Sequence, residues 1–368
     1  MKIKMDDIIA IERPNNVKHH IEPYSKPFKI SWKMTDWCNY RCEYCYMSNA
    51  VKRGKHTPED TVLKVASNLD KIITAQANDR YITLHLIGGE VCYYNLIKVL
   101  SEIKSQNLFR VVIATNFSQS IDYWNQLISY FNNRKFIVSR TPKLQIISSF
   151  HLTQCNPDEF VNKAIQLKTK VKCVVNDNNL PSYLPYLSKL LSAGNTVQVT
   201  VERDNMNCCS NSIKNPKSKA YIEYLNKDLS RKDKVYYIVT LRDGTKINFY
   251  SNIELINSID IGGLAPEGFR CTAGIDGVRV TPKGDLQRAG CRYCASKFGI
   301  GKIGNIFDEN IIEKLPKSDF VCHCMTLPSE LLDEGGNKTG LPDYNNLQPK
   351  MCTAFINANM YRDGYEYK

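Results

Sequence analysis

The sequence predicts an α/β fold in which six β–α units build a partial (β/α)6, TIM-like barrel, followed by a smaller C-terminal domain. Three observations lead there. Short apolar runs of strand character alternate with amphipathic stretches six times between residues 28 and 205. That order of elements calls for parallel strands joined by right-handed crossovers. The stretch is too short for the about 250 residues of an eight-unit barrel. The residues with chemistry to offer fall directly after the strands, which is the end where such barrels build their sites.

The units follow in order. FKISWKM at 28–34 reads as the first strand. Residues 59–75 read as a helix: Val62, Val65, Leu69 and Ile72 recur at helical spacing, and Glu59 and Asp60 suit its positive N-terminal end. YITLHLI at 81–87 is the second strand and stops at Gly88-Gly89, with a helix expected over 93–106. RVVIATN (110–116) is a strand followed by a helix at 120–132, and LQIISSF (144–150) is a strand followed by a helix at 157–168. KVKCVV (170–175) precedes a helix at 182–193, and TVQVTVE (196–202) closes the series.

Beyond residue 205 the pattern changes. A polar loop at 205–219 is followed by alternating apolar residues on either side of Asp243-Gly244, a hairpin signal spanning 235–251. A second turn signal, Pro282-Lys283-Gly284-Asp285, sits inside 277–291, and the tail from 318 is rich in turn residues and cysteine. The expected organisation is an N-terminal extension (1–27), the partial barrel (28–205), a connecting segment with a hairpin (206–265) and a C-terminal domain (266–368).

Composition narrows the class. The 368 residues are 43% hydrophobic and 23% charged, as in globular chains, with a net charge of +12. No apolar run is long enough to span a bilayer, and the N-terminus has no secretory h-region, so a cytoplasmic protein without membrane attachment is expected. In a reducing compartment, 14 cysteines point to metal ligation before disulfides.

The cysteines cluster. Cys38-x3-Cys42-x2-Cys45 follows the first strand within TDWCNYRCEYCYM. Three thiolates on so tight a loop can hold three irons of a cubane cluster, leaving the fourth open to a ligand; they can equally hold zinc with a distant fourth residue. Cys271, Cys291, Cys294, Cys322, Cys324 and Cys352 form a second group near the C-terminus.

The first loop, with Tyr44 just before its third cysteine, resembles the signature of the radical S-adenosylmethionine (SAM) superfamily. The resemblance covers about residues 28–205. It implies a 4Fe–4S cluster on Cys38, Cys42 and Cys45, with the amino and carboxylate groups of SAM on the open iron and Tyr44 near the adenine. Gly88-Gly89-Glu90 resembles the segment whose backbone meets the methionine amino group of SAM, although Val91 stands where that family often has proline. Thr115-Asn116, Ser148, Ser149, His151, and Glu202-Arg203 end later strands, where the family places polar groups near the cofactor. On this basis Asn116, Ser149, His151 and Glu202 join Tyr44, Gly88, Gly89 and Glu90 as expected cofactor contacts; no catalytic residue can be assigned.

The C-terminal order of Cys, Gly and Gly304-Asn305-Ile306 resembles the SPASM and twitch domains that carry auxiliary iron–sulfur clusters on a β-hairpin and helix. The C-x2-C-x5-C-x3-C run of the longer form is absent, and six residues rather than four separate Gly284 from Cys291. The resemblance therefore implies one auxiliary 4Fe–4S cluster, on Cys271, Cys291, Cys322 and Cys324, with Cys294 or Cys352 as substitutes. The activity implied is reductive cleavage of SAM to a 5′-deoxyadenosyl radical that abstracts hydrogen from a substrate, with electrons from a flavodoxin- or ferredoxin-type donor. Auxiliary-cluster members often act on peptides or proteins, which makes oxidative modification of a peptide side chain the first expectation. A small-molecule or RNA-modifying enzyme is the alternative; for RNA, Lys214, Lys217, Lys219, Arg231, Lys232 and Lys234 would supply the basic surface. A non-enzymatic zinc protein is the remaining class.

Overall fold

A computed structural model of the chain describes residues 3–4, 7–12, 26–45, 54, 56–76, 80–134, 144–201, 217–218, 237–249, 259–260, 269–271, 274–275, 277–288, 301–317, 320–321 and 360–362. The chain divides into two compact units. The larger is Tyr24–Asp228 with Val280–Gly284; the smaller is Met1–Pro23, Leu229–Arg279 and Asp285–Lys368.

The chain opens in the smaller unit with β1 (Ile3–Lys4) and β2 (Ile8–Glu12). The larger unit then runs β3 (Lys26–Lys33), α1 (Glu59–Ala75), β4 (Arg80–Ile87), a single 3-10 turn (Val91–Tyr93), α2 (Leu96–Ser101) and β5 (Leu108–Thr115). It continues through α3 (Ile121–Asn133), β6 (Leu144–Phe150), α4 (Pro157–Gln166), β7 (Lys170–Val175), α5 (Leu180–Ser192) and β8 (Val197–Val201). Strands β3 to β8 pair in sequence order, each parallel to the next. The alternation read in the sequence thus produces one large parallel sheet with helical crossovers.

Side-chain alternation gives this sheet two unlike faces. Phe28, Ile30 and Trp32 of β3, Leu84 and Leu86 of β4, Ile113 of β5, and Phe150 of β6 are buried on one face. The register puts Lys29 beside Thr83 and Thr83 beside Arg110, then Ser31 beside His85 and Ser149 beside Lys172, all on the other face. The helices supply matching apolar stripes: Val62, Val65, Leu69 and Ile72 of α1 are buried as their spacing predicts, with Trp124, Leu127 and Phe131 of α3. Burying a side chain of this size is worth about 1.5–3 kcal/mol.

Boundaries moved where capping decided them. The helix expected over 93–106 is the 3-10 turn followed by α2, because the Asn95 side chain accepts the Lys98 N–H at 3.2 Å and resets the start. Ser120 caps α3 by accepting the Tyr123 N–H, so it stands outside the helix. The helix expected to reach 168 stops at Gln166, and Lys168 takes φ +49°.

The chain continues with β9 (Tyr237–Leu241), β10 (Lys246–Phe249), β11 (Ile259–Asp260), β12 (Phe269–Cys271), β13 (Gly277–Val280), β14 (Asp285–Arg288), β15 (Lys302–Asn305), β16 (Phe320–Val321) and β17 (Met360–Arg362), all in the smaller unit except Val280 at the end of β13. The expected hairpin around Asp243-Gly244 is β9–β10, closed by a turn in which Gly244 takes φ +83° and the Asp243 carboxylate accepts the Thr245 N–H at 2.8 Å. A six-stranded sheet runs in the order β10-β9-β2-β17-β12-β16. The N-terminal residues therefore do more than extend the chain: Ile11 of β2 pairs with Val239 of β9, and Ile8, Ala10 and Ile11 are fully buried. Among the described residues, no helix is long and apolar enough to cross a membrane.

Candidate functional site

The loop after β3 takes its shape from the end of β4. Gly89 donates its N–H to the Thr35 carbonyl at 2.9 Å, and Glu90 donates to the Trp37 carbonyl at 2.8 Å. Thr35, fully buried, accepts the Trp37 N–H on its hydroxyl at 3.0 Å. The backbones come so close that only glycine fits. A Cβ on Gly89 would lie 1.8 Å from the Trp37 oxygen, and one on Gly88, at φ +152°, would lie 2.5 Å from the Thr35 oxygen. The Gly-Gly pair is thus the floor on which the cysteine loop rests, and the Gly89 and Glu90 amides are committed to that loop.

Glu90 clamps the next two strand ends together. Its carboxylate is 1% exposed and accepts from the Cys92 N–H at 2.8 Å, the Thr115 hydroxyl at 2.8 Å and the Asn116 N–H at 2.6 Å. Burial pushes its pKa up and these three donors pull it back, with burial prevailing. Asn116 carries the connection onward: its amide donates to the Asn39 side chain at 2.7 Å and to the Cys38 sulfur at 3.7 Å.

The cysteine loop is held from several sides. The Tyr40 N–H points at the Cys38 sulfur at 3.4 Å, and the Cys45 N–H donates to the Cys42 carbonyl at 3.1 Å. The Arg41 guanidinium donates to the Cys38 and Tyr40 carbonyls, and its backbone N–H donates to the Gln154 side chain at 3.0 Å. All three cysteines are half-buried thiols outside any disulfide. Their thiols are neighbours in the electrostatic sense: Cys45 raises the pKa of Cys38, and both Cys45 and Cys38 raise that of Cys42, after burial as the larger cause. The Cys42 thiol is pushed up to about 11.

His151 joins the loop from the end of β6. Its Nδ1 lies 2.8 Å from the Tyr44 hydroxyl and 3.4 Å from the Cys42 sulfur, and its ring stacks on Tyr44 at 5.9 Å. Burial lowers its pKa to about 4, so the ring is neutral at neutral pH. A neutral Nδ1 that accepts from Tyr44 would leave the proton on Nε2.

The fold therefore brings Cys38, Cys42, Cys45, Tyr44, Asn116 and His151 together, with Gly88, Gly89 and Glu90 beneath them. Ser149 lies on the polar face of β6, while Ser148 turns the other way and bonds the Thr169 hydroxyl at 2.7 Å. Glu202, Arg203, Cys291, Cys294, Cys322, Cys324 and Cys352 lie outside the described residues, and of Cys271 the backbone alone is described, in β12. The sequence reading overlooked Asn39, Gln154, Tyr40 and Arg41, which brace the loop; their proximity to cysteine was visible, but their partners were not.

Do these residues suit an iron–sulfur cluster? Thiols that are desolvated and crowded together resist ionisation without a cation, and a metal centre supplies that charge. The N–H donors aimed at the Cys38 sulfur suit a ligating thiolate. Among the described residues, no three His, Cys, Asp or Glu side chains are gathered for a single metal ion. A cluster ligated through separate irons does not require that convergence. The loop fits the group.

No protein-family model matches the chain. Two curated proteins do, both named S-adenosylmethionine-dependent nucleotide dehydratase. One, from Psychrobacter lutiphocae, is 24% identical over 179 residues, 44% of this chain and 60% of that protein. The other, from a Fibrobacter species, is 32% identical over 99 residues, 25% of this chain and 28% of that protein. This chain thus matches less than two thirds of either relative. Among solved structures, Streptococcus suis SuiB bound to S-adenosylmethionine shares 12% identity over 80% of this chain and 66% of that one, with a TM-score of 0.48, a distant likeness. The resemblance to SAM-dependent enzymes read in the cysteine loop is thus met again in the two curated relatives.

Proposed function

We propose that the chain is a radical SAM enzyme, with the parallel sheet of the larger unit curved into a partial barrel and Cys38, Cys42 and Cys45 holding a 4Fe–4S cluster at its rim. The observation that carries this reading is the loop itself: three mutually interacting thiols directly after the first parallel strand, braced by Asn116, Gln154 and the Tyr40 amide. When bound, the cluster and SAM supply a one-electron cleavage that yields a 5′-deoxyadenosyl radical able to take a hydrogen atom from a substrate. The protein's own part is positional. Asn116 and the Tyr40 amide hold the Cys38 sulfur, His151 holds Tyr44 and the Cys42 sulfur, and Glu90 fixes the strand ends that carry Asn116. Tyr44 and His151 offer flat faces for an adenine, and Ser149 offers a hydroxyl on the polar face. Such a cluster suits a reducing cytoplasm, with a flavodoxin- or ferredoxin-type protein as electron source.

The order of the C-terminal cysteines supports an auxiliary 4Fe–4S cluster on Cys271, Cys291, Cys322 and Cys324, and with it oxidative modification of a peptide side chain. A second reading, a nucleotide substrate, is favoured by the names of the two curated relatives. The test is anaerobic reconstitution of the wild type and the Cys38/Cys42/Cys45 triple alanine protein. Iron, sulfide and 5′-deoxyadenosine are then measured with a reductant and SAM. The proposal expects about four irons to be lost with the three cysteines, and all SAM cleavage with them. Equal iron and cleavage in both proteins would end it. Eight irons falling to four would support the auxiliary cluster.

A further inference from the structure

One buried hydroxyl of the larger unit is not explained by packing. The buried stripe of α5 is Leu180, Tyr183, Leu187 and Leu190. Tyr183 is 1% exposed and sets its ring edge-on to Phe150 at 5.3 Å, a place that a phenylalanine would fill as well. Its hydroxyl serves the end of β6. It donates to the Phe150 carbonyl at 3.2 Å and accepts the Leu152 N–H at 3.2 Å. Those are the backbone groups on either side of His151. The His151 carbonyl in turn accepts the Gln154 N–H at 2.9 Å and the Cys155 thiol at 3.3 Å, and the Gln154 side chain accepts the Arg41 N–H. The backbone from Phe150 to Gln154 is thus tied to α5 on one side and to the cysteine loop on the other. A side chain on so fixed a backbone has few rotamers open to it. The His151 imidazole takes the one that meets the Tyr44 hydroxyl and the Cys42 sulfur. Tyr183 also stands close enough to Tyr44 for each hydroxyl to act on the ionisation of the other.

We propose that Tyr183 is a positioning residue: its single hydroxyl fixes the turn that carries His151 and so aims the imidazole at Tyr44 and the Cys42 sulfur, where the two rings meet the adenine of SAM. Tyr183 acts through His151 and not on the reacting atoms. Replacing it by phenylalanine keeps the ring in the core and leaves Cys38, Cys42 and Cys45 untouched, but it strips the Phe150 carbonyl and the Leu152 N–H of their shared partner. The turn then loses its tie to α5 while the helix itself stays in place. Naming SAM as the molecule that the rings meet rests on the reading of the chain as a radical SAM enzyme; the aiming of His151 by Tyr183 does not.

The experiment has two arms. The first is NMR of the metal-free full-length protein carrying isotope-labelled histidine. Its six histidines give six sets of ring signals, and His151→Gln identifies one of them. Tyr183→Phe should stay folded, with Tm lower by about 2–12 °C for the unpaired Leu152 N–H. It is expected to shift or broaden the His151 signal and leave the other five in place. Gln154→Ala frees the same turn from its other side without touching the core, and it is expected to move the same signal. An unmoved His151 signal in Tyr183→Phe, or six signals that move alike, overturns the proposal, because a tyrosine kept only for folding gives one or the other. The second arm is calorimetric titration of the reconstituted protein with SAM. Tyr183→Phe should bind SAM at least about fivefold more weakly at unchanged iron content, and the same change made in a His151→Gln protein should add nothing. Equal weakening in both backgrounds overturns the proposal. A wild type that takes up neither cluster nor SAM defeats the enzyme reading and leaves the histidine signals to decide the role of Tyr183. SAM binding by a protein whose His151 signal ignores Tyr183 defeats the positioning alone.

Discussion

Replacing Glu90 by alanine should damage the molecule in two separable ways. The side chain is buried and accepts three hydrogen bonds, two of them from the backbone amides of Cys92 and Asn116, which cannot turn away to other partners. Each buried donor left unpaired costs about 1–3 kcal/mol. Two such amides give about 2–6 kcal/mol, and relief of the desolvated carboxyl returns part of it, so a net loss of about 2–4 kcal/mol is expected. In a unit of this size each kcal/mol lowers Tm by about 2–4 °C, giving a fall of about 5–15 °C. Glu90→Gln keeps one acceptor oxygen and should lose about half as much. The second effect is local: with Asn116 released, the donor to the Cys38 sulfur is released with it. The assays are calorimetric melting and amide hydrogen exchange at Cys92 and Asn116. If Glu90→Ala melts within about 1 °C of wild type with both amides still protected, the clamp described here does not exist.

Other perturbations should have distinct signatures. Gly89→Ala drives a Cβ against the Trp37 carbonyl, so the cysteine loop must shift, and iron retained after reconstitution should drop even where the protein stays folded. His85 is neutral in the fold, with its pKa down to about 3, against an ordinary value near 6.5 in the unfolded chain. Between those values the unfolded chain binds more protons, so stability is lost as pH falls below about 6.5, by at most about 1.4 kcal/mol per pH unit; urea midpoints from pH 4 to 7 should flatten in His85→Gln. Tyr44→Phe removes the hydroxyl beside His151 and should alter the reduction potential or EPR signal of a bound cluster while leaving its iron content near wild type.

The larger unit was legible because its information is local. Val62, Val65, Leu69 and Ile72 declare a helix by spacing alone, and LHLIGG declares both a strand and its end. The first cysteine group was legible for the same reason, since Cys38, Cys42 and Cys45 share one loop. What could not be read was anything carried by tertiary contact. For Glu90 the resemblance implies a cofactor contact; its burial against Thr115 and Asn116 depends on strand pairing and could not be read from its neighbours in sequence. The role of β2 was hidden because Ile8–Glu12 pairs with a strand far along the chain. The helix start at Leu96 turned on one Asn95 side chain, a difference too small for apolar spacing to register.

The dependence of the cysteine loop on β4 has a kinetic consequence. Thr35 and Trp37 precede α1 in the chain, yet their carbonyls are satisfied by amides that follow β4. The loop cannot adopt its shape while the nascent chain has only reached its cysteines. The crossover helix must first dock and β4 must zip alongside β3, a contact of long sequence separation and correspondingly slow formation. On a ribosome, metal delivered early would meet three loose thiols on an unfinished strand. Metal delivered after Glu90 has emerged would meet a shaped socket. On the proposed function, completion of the first parallel pairing comes before cofactor loading, and a chain stalled before that step should be a poor recipient for iron.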